Sequence, residues 1–154
     1  MERSLKSKGI RIHDGKEILD VTPKEILTLI PDGKNLNWAI LFLEATGDLG
    51  EKKWAELDSA HTLEKGYWIA WKDLVSTCNK FWQVIDITII GCKDKENLKQ
   101  YKKDIDMYES CDIVIEIIDG GYCEVFSKDH DLINRLAKSY NDIELLDPDW
   151  NLKK

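Results

Sequence analysis

The chain has 154 residues, 43% of them hydrophobic and three of them proline, and a formal net charge of −7. That length suits one domain, which buries roughly two-thirds of the surface its unfolded chain exposes and so needs no disulfide or metal staple. The longest apolar runs, residues 38–43 and 87–90, are too short to cross a bilayer, and the acidic balance disfavours nucleic acid.

Arg11-Ile12-His13-Asp14-Gly15-Lys16-Glu17-Ile18 sets Asp-Gly between two short alternating runs, which predicts a hairpin. Thr22-Pro23-Lys24-Glu25 reads as a capping box, with Thr22 as N-cap, Pro23 at the first helical position and Glu25 reaching back. Ile26, Leu27, Leu29 and Ile30 give that helix its buried side, and Pro31-Asp32-Gly33 stops it. Residues 38–43 form a continuous apolar run of strand length, expected to be buried on both faces. Residues 47–65 lack a clear period and read as a long connection, although Trp54 and Leu57 can share one helical turn.

Residues 67–70 suggest a strand, followed by a short helix carrying Leu74, Val75 and Cys78 on one face. The centre of the fold is expected at residues 81–90, where Ile85, Ile87 and Ile89 alternate with Asp86 and Thr88. Asp94 can cap a helix whose Leu98, Tyr101, Ile105 and Tyr108 recur at helical spacing. Residues 111–118 and 122–126 flank Asp119-Gly120-Gly121 and predict a β-hairpin. Ser127 is expected to cap a last helix with Asp129 and Asp131 in its first turn and Leu132, Ile133, Leu136, Ala137 and Tyr140 as its apolar stripe. Residues 143–146 add an edge strand. The sum is an α+β single domain, a mostly antiparallel sheet flanked by about four helices, with order fading at residues 1–9 and 148–154.

No catalytic set of high specificity is present. His13, His61 and His130 are unpaired at metal-ligand spacing. Cys78, Cys92, Cys111 and Cys123 form no C-x-x-C pair, and residues 1–6 lack the apolar stretch of a secretory signal, so reduced, buried thiols in the cytoplasm are expected. Asp119-Gly120-Gly121 lacks the lysine and the following helix of a phosphate loop and reads as a turn. Asp104/Asp106 and Asp129/Asp131 lack a calcium-loop pattern and read as solvated helix surface. Neither metal nor cofactor is expected. Asp86 and Glu116 sit mid-strand among apolar residues. They are either an acid/base pair of raised pKa or the solvated, partner-facing side of the sheet, and the second is the commoner arrangement.

The charge is unevenly spread, +1 over residues 1–103 and −10 over residues 104–149. Such a field steers basic partners inward. Of the six tryptophans, Trp38 and Trp82 lie in apolar runs and are expected in the core, while Trp54, Trp68 and Trp71 flank the least regular region and Trp150 lies in the tail. Aromatic anchors beside acids suit a hot spot for a basic protein, and the charge is wrong for stacking nucleic-acid bases.

The run Phe81-Trp82-Gln83-Val84-Ile85-Asp86, with the hairpin and helix of residues 111–140, resembles immunity proteins of bacterial contact-dependent growth inhibition and related polymorphic toxin systems, over residues 80–146. Those families share no catalytic residues, so no role transfers position by position. The resemblance implies a cytoplasmic antidote that binds and blocks a toxin domain with a basic surface, often a nuclease, and is no enzyme. Expected toxin-binding residues are Asp104, Asp106, Glu109, Asp112, Glu116 and Glu124, with Trp54 and Trp68 as anchors. Whether Glu116 and Glu124 share a face depends on the register after the Asp119-Gly120-Gly121 turn. Two rivals are a small hydrolase or transferase using Asp86 or Glu116 with His61, and a regulatory protein-binding module.

Overall fold

The computed structural model describes residues 6–15 and 19–148. Its strands are β1 (Lys8–Ile12), β2 (Asn37–Gly47), β3 (Tyr67–Ile69), β4 (Phe81–Cys92), β5 (Ile113–Ile118), β6 (Tyr122–Ser127) and β7 (Ile143–Leu146). They form one sheet in the order β3-β2-β4-β5-β6-β1-β7, and every neighbouring pair runs antiparallel. Helices α1 (Pro23–Thr28), α2 (Glu51–Asp58), α3 (Trp71–Asn79), α4 (Asp104–Ser110) and α5 (His130–Ser139) pack around it. The fold is α+β, as the sequence indicates.

Period-2 alternation gives the sheet two buried faces of unequal extent. On the first face, Ile10, Ile12, Trp38, Ile40, Ile87, Ile89, Ile113, Ile115 and Val125 meet Ile26 and Leu27 of α1, Leu57 of α2, Leu74 of α3 and Leu132, Ile133 and Leu136 of α5. Trp38 anchors this core, its indole N–H donating to the Gly33 carbonyl at 2.7 Å and its ring lying 5.2 Å from that of Trp71. The second face is covered only in part. Ala39, Leu41, Ile90, Val114 and Phe126 meet Leu98 and, from α4, Met107 and Tyr108, and the Tyr108 and Phe126 rings stack at 3.8 Å. Beyond α4 the strands carry polar or charged side chains on this face, exposed at Glu44 and Glu144 and buried at Glu124.

Several elements differ from expectation, each for a local reason. The Asp14-Gly15 hairpin does not form around β1, because both edges of β1 are taken, by β6 and β7. Its second arm, Lys16-Glu17-Ile18, lies outside the described residues. Asp14 instead accepts the backbone N–H groups of Asn141 and Asp142. Lys8 and Gly9 belong to β1 rather than to a disordered end; residues 1–5 and 149–154, where order is also expected to fade, lie outside the described residues. Thr22 caps α1 as expected, but the Glu25 carboxylate accepts from the Tyr140 hydroxyl at 3.0 Å instead of reaching back.

Residues 47–65 contain α2 and a one-turn 3-10 helix; only Leu57 is buried on α2, so too little of the helix is apolar to show a period. Conversely, residues 94–108 are not one helix. Asp94 caps a single 3-10 turn, and the chain then runs irregularly, with bends, to α4, where the Gln100 amide donates to the Leu41 and Ala60 carbonyls. Tertiary hydrogen bonds override the helical spacing. Ser127 ends β6, buried, and Asp129 is the N-cap of α5. Trp82 is 77% exposed rather than core: Phe81 takes the inward side against Trp54, where bulges interrupt the β2–β4 ladder.

Candidate functional site

The open part of the second face carries a cross-strand row. Phe42 on β2 is paired with Thr88 on β4, Thr88 with Glu116 on β5, Glu116 with Glu124 on β6, Glu124 with Arg11 on β1, and Arg11 with Glu144 on β7. Paired residues share a face, so one line of side chains crosses six strands. Beside it, Glu44 is paired with Asp86. The register question at the hairpin is thereby settled: Glu116 and Glu124 are direct neighbours.

Each member is held by specific contacts. Arg11 donates from Nε and Nη2 to Oε1 of Glu124 at 2.8 and 2.6 Å, and its Nη1 lies 3.5 Å from Glu144. Its guanidinium also sits over the Tyr122 ring, 4.7 Å from the centroid. His13 bonds Glu144 at 2.9 Å, which holds the Glu144 carboxyl below its ordinary range. Glu124 is 2% exposed; burial raises its pKa and the Arg11 pair pulls it back. Glu116 accepts from the Tyr108 hydroxyl at 2.9 Å and the Thr88 hydroxyl at 3.3 Å. Burial pushes the Glu116 carboxyl up to about 7, with Asp104 and Glu124 adding to the rise and the two hydroxyls opposing it.

The expected binding residues divide into three groups. Asp104, Glu116 and Glu124 come together, with Asp104 at the start of α4 close enough to raise both glutamates. Asp106 and Glu109 are exposed on α4. Asp112 is spent on structure, accepting the Lys93 N–H at 2.7 Å. Trp68 is 47% exposed on edge strand β3, its indole donating to the Lys65 carbonyl, and Phe42 and Leu63 are exposed too, at 40% and 41%. Trp54 is partly buried against the first core and the Phe81 ring. It is therefore a packing residue rather than an exposed anchor.

Asp86, Glu116 and His61 make separate contacts. Asp86 accepts the Asp119 N–H at 3.0 Å, tying β4 to the β5–β6 turn. His61 is exposed with its ring 5.8 Å from that of Phe42, and among the described residues no hydrogen bond joins it to Asp86 or Glu116. Among those residues, too, no group of three His, Cys, Asp or Glu side chains is placed to hold a metal ion, and no helix is long and apolar enough to cross a membrane. All four cysteines are free and buried. An open groove of about 450 Å³ lies apart from the row, between the start of α1 and the start of β4, with Pro23, Lys24, Phe81 and Trp82 in its lining.

Sequence reasoning missed Arg11, His13, Glu144 and Phe42 as members of the site. The available signal was a polar residue at the middle of each successive strand, out of step with the apolar positions. No protein-family model, curated protein or solved structure matches the chain.

Proposed function

We propose that this chain is a protein-binding antagonist of the immunity-protein kind, acting by occupying a basic toxin domain rather than by catalysis, in the cytoplasm. The observation that carries the reading is the second face beyond α4, where Glu44, Asp86, Glu116 and Glu124 lie on the neighbouring strands β2, β4, β5 and β6 and Glu144 on edge strand β7, Glu44 and Glu144 exposed and Glu124 buried, with exposed Phe42 and Trp68 at one end. Carboxylates steer a cationic surface to this face and rigid aromatics supply contact area at low entropic cost. The resemblance of residues 80–146 to immunity proteins supports the same reading.

The test is co-expression with the product of the adjacent gene. That product alone should arrest growth; together the two should permit growth and co-purify as a stoichiometric complex. A harmless neighbour, or one still toxic beside this chain, sinks the proposal.

A further inference from the structure

Glu116 and Glu124 are direct cross-strand partners, and two carboxylates so placed disfavour joint ionisation. Their surroundings break the tie. The Arg11 guanidinium bonds Glu124, favouring its charged form. Glu116 is held by two neutral hydroxyls, those of Tyr108 and Thr88. A hydroxyl can turn from donor to acceptor, so Glu116 stays bonded whether or not it carries a proton.

Every packed element contributes to the local field. From α4 come Asp104 and Tyr108, from β4 Thr88, from β6 Glu124 and Tyr122, from β1 Arg11 and from β7 Glu144; farther out, His13, just past β1, bonds Glu144, and Asp86 of β4 bonds the Asp119 N–H. The charges that act most on Glu116, those of Asp104 and Glu124, are both negative, and burial acts in the same direction.

We infer that Glu116 and Glu124 share one proton, carried by Glu116, and that its release sets how much negative charge the sheet face offers a basic partner. The binding half rests on the function proposed above; the proton half does not. Affinity for a cationic partner rises as pH climbs and Glu116 ionises, and falls as the proton returns.

The experiment is a carboxyl carbon-13 NMR titration of the glutamate-labelled free protein between pH 3 and 9, with Glu116 assigned through E116Q. A Glu116 midpoint of 6 or above is expected, moving down in D104N and up in Y108F. A midpoint below 6 in the wild-type protein overturns the shared proton, whatever the partner does. D104N alters an exposed residue and keeps the test available should Y108F fail to fold. The binding half is read on the purified complex with the adjacent gene's product. At least a threefold weaker complex at pH 6 than at pH 8 is expected, and a smaller ratio in E116Q. Equal pH dependence in the two proteins overturns it. Failure of the wild-type chain to neutralise that product at any pH would instead sink the function and leave the titration standing.

Discussion

The Phe126 ring occupies the space a side chain on Gly9 would need: a β-carbon there would collide with the ring edge. The two residues are register partners on β1 and β6, and the ring stacks on Tyr108. Gly9 thus lets an inner strand pass beneath an aromatic pair that closes the second core. G9A should cost about 1–3 kcal/mol through overpacking, measured by urea unfolding, and much less in an F126L background. A G9A protein as stable as the wild type would refute the close approach.

Arg11 and Glu124 are the most buried ion pair described, joined at 2.6 Å. R11M leaves the carboxylate buried beside Glu116 without its guanidinium and should cost about 3–5 kcal/mol, as breaking one side of a buried pair does. The double variant R11M/E124L should recover most of that loss. Chemical denaturation of the two single variants and the double variant checks it; no recovery would mean that Arg11 acts mainly through its packing on Tyr122.

The raised Glu116 pKa fixes the sign of a pH effect. Below the ordinary value of 4.5, Glu116 is protonated in folded and unfolded chains alike and costs nothing. Between 4.5 and about 7 the unfolded carboxyl has lost its proton while the folded one keeps it, so stability falls as pH rises and then levels off. The expected drop is about 3 kcal/mol. E116Q should match the wild type at pH 4 and exceed it at pH 8 in thermal unfolding; parallel curves across that range would contradict the assignment.

The binding surface predicts which charges matter. E44K and W68A, on or beside the open face, should each weaken the complex with the adjacent gene's product about tenfold or more, in the range of a hot-spot residue. D106K and E109K, on exposed positions of α4, should change it less than threefold. Isothermal calorimetry gives the comparison. The reverse order would move the interface to the outer side of α4.

Much of the frame was legible in residue periodicity. The β5–β6 hairpin, the edge strand β7, the Thr22 cap of α1 and the apolar stripe of α5 all follow from local pattern and turn chemistry. The site was legible only in fragments. Glu116 and Glu124 were named, but their relation hinged on whether the turn between them holds two residues or three. Asp119 and Gly120 both take positive φ, 52° and 61°, and Gly121 follows as a third turn residue, which brings the two carboxylates opposite each other. Arg11 could not be found that way. Its partner lies 113 positions away, and no local rule reaches that far. The irregular run before α4 was misread for a related reason, since Gln100 is fixed by carbonyls at positions 41 and 60.

The strand order places β1 between β6 and β7. During synthesis, then, residues 8–12 emerge long before either of their ladder partners exists and must wait for about a hundred more residues before they can dock. Closing so large a loop is slow, and until it happens β6 has an open edge on which a foreign strand could settle. The assembly of this half of the sheet is therefore a late event, and the nascent chain is most exposed to misassociation until then.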